Sequence, residues 1–203
     1  MNIIGIRLIA TVCLVGWLYM PVAAKASDLP EGPPLFVAFK AFCVDTGLKP
    51  GAVRTAVMAA DGEESHKSAH FSLPPGRRVN SFWLAVTLGG HKIDVEATSV
   101  EIAASGGRPH SAVETCTLTS HANEDASIPL IVSWVGVAPI ATDGGSSYFS
   151  YEEKNNRRRA ITDGDAAAAA AAKGTHWVLV INRLRDRVTV SIDHSRIIPD
   201  QQP

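Results

Sequence analysis

The sequence predicts an α+β fold: a single domain in which an antiparallel sheet of about five to seven strands packs against two N-terminal helices and one mid-chain helix. Three observations predict this class. Apolar residues recur at helical spacing in two early segments and once in mid-chain. Two pairs of alternating runs follow, one joined by Gly89-Gly90 and one by a turn near Arg185-Asp186. Hairpins outnumber strand-helix-strand units, which favours antiparallel pairing.

The first 26 residues have the order of a secretory signal peptide. Arg7 precedes an apolar run of about 13 residues, after which come a proline and small residues. A membrane span needs roughly 20 residues, so we do not expect a retained anchor. Cleavage fits after Ala24 or after Ala26, and we favour Ala26. We therefore expect residues 1–26 to be removed and residues 27–203 to form the domain, in the periplasm or secreted.

Signal removal leaves Cys43 and Cys116 as the cysteines of the mature chain. An even pair in an exported chain is expected to form a disulfide bond, because disulfides persist in the compartments that receive such chains. Neither cysteine belongs to a C-x-x-C motif, which argues against a redox-active thiol.

The first predicted elements are two helices. Helical spacing of apolar residues predicts one helix over roughly 34–44 and a shorter one that follows Pro50 and ends at Gly62. If the Cys116 side chain points inward, the disulfide would hold the first helix against the sheet. Residues 61–80 are polar and rich in proline, which predicts a surface loop.

The clearest strand pattern surrounds Gly89-Gly90. Apolar residues alternate on both sides of the glycines, which permit the positive φ of a tight hairpin turn. The alternation slips between Ala97 and Val100, which predicts a bulge or a new strand at 98–102. Residues 112–119 alternate again and predict a further strand.

The second half of the chain leaves two alternatives open. Residues 127–136 have helical spacing with Ser127 as the expected N-cap, although their β-branched residues leave a buried strand as the competing interpretation. The alanine run at 166–172 predicts a short surface helix, with a flexible linker as the alternative. The remaining expectations are a loop at 139–147, a strand at 148–151, a hairpin at 177–192 and a loose tail at 199–203.

The motifs predict no catalytic residue, no metal site and no cofactor. The G-x-S-x-G, zincin, EF-hand, P-loop and dinucleotide patterns are missing from the sequence. His66 and His70 stand four residues apart, with Glu63 or Glu64 as a possible third ligand. That segment lacks the apolar stripe of a helix, so the pair is expected to be a surface feature rather than a metal site.

A basic cluster at Arg157, Arg158 and Arg159 is, with His66 and His70, the candidate binding surface of the sequence. Three arginines can meet a phosphate, a lipopolysaccharide or an acidic partner, although such a run is more often a solvated loop. The net charge of −1 argues against a nucleic-acid partner.

These observations favour an exported cell-envelope protein that is not an enzyme and acts by binding an unidentified envelope protein or ligand. We expect no nucleic acid and no membrane span after signal cleavage. The alternative is a small periplasmic hydrolase, which would show a cleft where His66, His70, Glu96 or Glu101 converge. A third possibility is an accessory protein of envelope assembly or secretion.

Overall fold

The computed structural model describes residues 29–65, 77–104 and 110–198. Its helices are α1 (Pro34–Ala38), which continues as a π-helical segment (Phe39–Val44), α2 (Pro50–Ala59), α3 (Ser127–Val135) and α4 (Gly164–Ala172). Its strands are β1 (Glu63–Glu64), β2 (Arg77–Leu88), β3 (His91–Ile102), β4 (Ser111–Ser120), β5 (Ala141–Asp143), β6 (Ser146–Lys154), β7 (Arg157–Ala160), β8 (His176–Arg183) and β9 (Val188–Ile197).

The nine strands of the described residues form one antiparallel sheet. Its order is β1-β2-β3-β4-β9-β8-β6-β5, and β7 also pairs with β6. The predicted α+β class is confirmed, but the sheet is larger than the sequence led us to expect. The additional strands β1, β5 and β7 contain only two, three and four residues, too few to show an alternating pattern.

One face of the sheet carries the hydrophobic core. Alternate residues of β3, β4 and β9, such as Val95, Leu118 and Val190, are fully or almost fully buried. Helices α1, α2 and α3 pack on this face and contribute Phe39, Val53 and other side chains to the same cluster. No helix of the described residues is long and apolar enough to span a lipid bilayer.

The predicted disulfide bond joins Cys43 of the π-helical segment to Cys116 of β4. The two Cα atoms are 5.6 Å apart, and both cysteines are completely buried. Cys116 points to the core face of a strand near the middle of the sheet. The bond therefore holds the first helical segment against the centre of the sheet, as expected.

Two predicted hairpins are present. Strands β2 and β3 pair without interruption around Gly89 and Gly90, whose φ angles are 54° and 80°. Strands β8 and β9 form the C-terminal hairpin. The predicted bulge or new strand at 98–102 is wrong, since β3 keeps its register to Ile102. The alternation slips because the core face turns polar there: Ser99 takes the inward position after Ala97.

Two loop predictions need correction. Residues 61–80 contain β1 and the start of β2, and residues 139–147 contain β5 and the start of β6. Both α3 and α4 are helices, which excludes the strand and linker alternatives at these positions. Asp163 caps α4 by accepting a hydrogen bond from the Asp165 N–H at 2.8 Å. Ser127, in contrast, does not cap its own helix.

Candidate functional site

Part of the sheet face opposite α1, α2 and α3 is polar. Alternation along β2, β3, β4 and β9 brings onto it a set of side chains that we call the polar face: Trp83, Asp94, Glu96, Thr115, Thr117, Thr119, Thr189, Ser191 and Asp193. The strand register aligns Trp83, Glu96, Thr117 and Ser191 in one row across four strands. A rigid sheet thus holds an aromatic ring, a carboxylate and two hydroxyls in sequence.

Hydroxyl groups are paired across β4 and β9. Thr117 Oγ1 and Ser191 Oγ are 2.9 Å apart, and Thr119 Oγ1 and Thr189 Oγ1 are 3.3 Å apart. A hydroxyl donates one hydrogen bond and accepts two, so a pair that shares one bond keeps one donor and several acceptor positions. The two pairs can therefore still bind a polar ligand.

A cavity of about 260 Å³ is lined by residues of the polar face. His121 and Arg187 also line it, and His121 Nε2 lies 3.4 Å from Asp94 Oδ2. The Glu96 side chain makes no hydrogen bond or ion pair with any residue that the structure describes, whereas Trp83 and Asp94 each have a further interaction. The cavity lining therefore contains two carboxylates, one guanidinium and one imidazole.

Asp193 lies at the edge of the polar face, opposite Thr115 in the β4–β9 register. Burial raises the pKa of the Asp193 carboxyl, and the hydrogen bond with Thr115 offsets only part of that increase. This carboxylate is therefore held with an incomplete set of partners.

A second polar cluster surrounds the buried carboxylate of Glu124, between β4 and α3. Glu124 accepts hydrogen bonds from Ser127 Oγ at 2.6 Å, Ser120 Oγ at 2.8 Å and the Leu35 N–H at 3.3 Å, and its Oε1 lies 2.9 Å from His91 Nδ1. Burial alone would raise the pKa of Glu124, but the hydrogen bonds together outweigh it and lower the pKa. The carboxylate is ionised and almost saturated with donors.

The Glu124 cluster caps α1. The first N–H groups of a helix have no partner within it, and negative charge is favoured there. The Leu35 N–H donates to Glu124, and the Phe36 N–H donates to Ser127 Oγ at 3.3 Å. The serine expected to cap α3 therefore helps to cap α1. This cluster supports the fold, and only His91, about one-third exposed, reaches its surface.

One serine-histidine contact has the distance of a nucleophile and its base. Ser150 Oγ lies 2.9 Å from His176 Nε2, and burial lowers the pKa of His176. Ser150 is only 7% exposed. Glu152, the cross-strand neighbour of His176, instead accepts hydrogen bonds from Thr175 and Arg159. Within the described residues, no carboxylate orients the imidazole as a catalytic triad requires.

The arginine cluster lies on strand β7 rather than in a loop. Arg158 stacks on the Trp134 ring with its Cζ 3.8 Å from the centroid, bonds to the Trp134 carbonyl and pairs with Glu153 at 2.9 Å. Arg159, three-quarters exposed, pairs with Glu152, and Arg157 is exposed. The middle arginine thus supports the C-terminus of α3, and the structure does not present three equivalent cations.

His66 and His70 lie outside the described residues. In the described part of the chain, no group of three or more His, Cys, Asp or Glu side chains could hold a metal ion. Glu96 and Glu101 point to opposite faces of β3, so these two carboxylates do not share a cleft.

Comparisons with protein-family models, curated proteins and solved structures find no match to this chain. The function must therefore be inferred from the chemistry of the protein's own side chains.

Sequence reasoning did not indicate the hydroxyl pairs of the polar face or the Glu124 cluster. The threonine-rich run at 112–119 predicts a strand, but only the pairing of β4 with β9 adds Thr189 and Ser191 to it. The spacing of Ser120, Glu124 and Ser127 was a usable signal, because short polar side chains before an apolar helix often bind backbone N–H groups.

Proposed function

We propose that the protein is an exported cell-envelope binding protein without catalytic activity, and that the polar face of its sheet binds the ligand. The observation that carries this proposal is the row formed by Trp83, Glu96, Thr117 and Ser191. Binding sites combine an aromatic or apolar surface with a few fixed polar groups, and rigid strands hold such groups more accurately than loops.

The signal-like N-terminus and the disulfide bond support export. Residues 1–26 have the pattern of a cleavable leader, and Cys43 and Cys116 are bonded. Disulfide bonds persist in oxidising compartments and are rare in the cytosol. The mass of the native protein tests this part directly, since a mass that retains the first 20 residues would contradict it.

Crosslinking from the polar face tests the binding part. A photoreactive amino acid at Thr117 should capture a ligand or partner in the cells that make the protein. The matched control replaces Glu101, which belongs to β3 but points to the opposite face. Capture from position 101 with none from position 117 would contradict the proposed surface.

A hydrolase is the alternative function, and the contact between Ser150 and His176 favours it. A hydrolytic serine should react with a fluorophosphonate probe, and His176→Ala should abolish the reaction, because the histidine would be the base. Labelling at Ser150 in the native protein would replace the binding proposal. Absence of labelling agrees with the low exposure of this serine.

A further inference from the structure

We infer that the ligand of the polar face is a neutral oligosaccharide, bound across β2, β3, β4 and β9. This inference rests on the proposed function and specifies its ligand class. It is drawn from four properties of the site: its hydroxyl pairs, the Glu96 carboxylate, its mixed charges and its aromatic end.

The hydroxyl pairs match a ligand that both donates and accepts hydrogen bonds. Each pair, Thr117 with Ser191 and Thr119 with Thr189, shares one hydrogen bond between its two hydroxyls. Each pair keeps one donor and several acceptor positions for a ligand. Sugar hydroxyls have the same dual character. A ligand with only acceptors, such as a phosphate, would leave the acceptor positions of these side chains unused.

Glu96 adds the strongest polar group of the row. Its carboxylate accepts hydrogen bonds only and has no partner within the described residues. Two neighbouring sugar hydroxyls can each donate to one of its oxygens. Hydrogen bonds to a charged group are stronger than those between neutral groups, so Glu96 is expected to contribute most of the affinity.

The mixed charges of the cavity disfavour a highly charged ligand and so favour a neutral one. Asp94 and Glu96 line the cavity together with Arg187 and His121. A polyanion would meet two carboxylates, and a polycation would meet the guanidinium. Like charges brought together cost several kcal/mol. The more basic surface of the chain lies on β7, where Arg158 and Arg159 already have carboxylate partners.

Trp83 forms the aromatic end of the row. Its cross-strand neighbour is Glu96, so an indole and a carboxylate lie side by side in the lining of the cavity. An aromatic ring that packs against the C–H groups of a sugar while its neighbours bond the hydroxyls combines apolar and polar contacts. The cavity of about 260 Å³ suits a segment of a chain rather than an enclosed ligand.

The test is an NMR titration of the native, oxidised protein with chitohexaose, cellohexaose and maltohexaose. Concentrations up to about 5 mM exceed the millimolar Kd expected of a shallow surface site. At least one sugar should shift the amide signals of residues 94–96, 117–119 and 189–191. Glu96→Gln should raise the Kd about tenfold or more. Thr117→Val should raise it severalfold. Glu101→Gln, on the opposite face, should leave the Kd unchanged.

The outcomes separate this inference from the proposed function. If none of the three sugars shifts these signals in a folded protein, the oligosaccharide inference is wrong. If polylysine or polyglutamate shifts these signals and none of the sugars does, the oligosaccharide inference is also wrong. The polar face would then remain the proposed binding surface. Broadening of these signals with protein concentration alone would point to a second copy and overturn the oligosaccharide inference too. Sugar-induced shifts confined to other surfaces would overturn both proposals.

Discussion

The carboxylate of Glu124 accepts a hydrogen bond from the backbone N–H of Leu35, 89 positions earlier in the chain. This contact joins the start of α1 to the loop between β4 and α3. The Cys43–Cys116 bond adds a second attachment of this helical segment, directly to β4.

Glu124→Gln should destabilise the protein by about 1–3 kcal/mol, because the amide N–H₂ would face side chains and an N–H group that already donate. Urea unfolding at pH 7 measures the change. Asp45→Asn, at an exposed carboxylate, is the control and should have little effect. An unchanged unfolding midpoint for Glu124→Gln would contradict the capping role.

The Glu124 carboxylate should also make the stability of the protein depend on pH in the acid range. The folded pKa of Glu124 lies below its ordinary value of 4.5, so its contribution is present above pH 4.5 and is lost as the pH falls through the folded pKa. The stability difference between native protein and Glu124→Gln should therefore narrow below pH 4.5. A constant difference down to pH 2 would rule out this linkage.

Asp193→Asn should have the opposite effect on stability and make the folded protein more stable at neutral pH. Burial raises the folded pKa of Asp193 above its ordinary value of 3.8, so the ionised form disfavours the folded state at neutral pH. We expect the Tm at pH 7 to rise by about 2 °C, and the gain to disappear below pH 3.8. Calorimetry at the two pH values measures this, and a lower Tm at pH 7 would contradict it.

Arg158→Ala should destabilise the protein by about 1–3 kcal/mol, since it removes the stacking on Trp134 and the hydrogen bond at the end of α3. Arg157→Ala, at the exposed neighbour, should stay within about 0.5 kcal/mol. Thermal unfolding of the two variants compares them directly. Equal effects would mean that the three arginines act alike.

Removal of the disulfide bond through Cys43→Ala with Cys116→Ala should cost about 4 kcal/mol, because the bond closes a long loop in the unfolded chain. Its cysteines are separated by 73 positions. Thiol counting in denaturant without reductant should find neither Cys43 nor Cys116 as a free thiol. Two free thiols would refute the bond.

Local patterns predicted the parts of the fold that local chemistry determines. Gly89 and Gly90 define one hairpin, because their positive φ angles suit a two-residue turn. The helix at Ser127–Val135 follows from its apolar spacing. The short strand β7 could not be predicted, since its three arginines have no strand pattern and the pairing with β6 is not encoded in their own segment.

The candidate site depends on contacts between distant parts of the chain. Thr117 and Ser191 are 74 positions apart, and the sequence of neither strand predicts that the two strands pair. The sequence made Glu96 and Glu101 candidates for one cleft, but the uninterrupted register of β3 places them on opposite faces. The sequence shows which residue types are present, but only the pairing of the strands shows which of these side chains lie together.

The C-terminal strand β9 lies between β4 and β8, so the last-made strand of the described chain occupies the interior of the sheet. A nascent chain that has reached only Ser120 leaves the backbone of β4 unpaired along one edge. Such an edge is a site for pairing with other chains. The sheet can therefore be completed only after β9 has been made, and the many contacts between distant residues should make folding slow compared with a helical bundle of similar length.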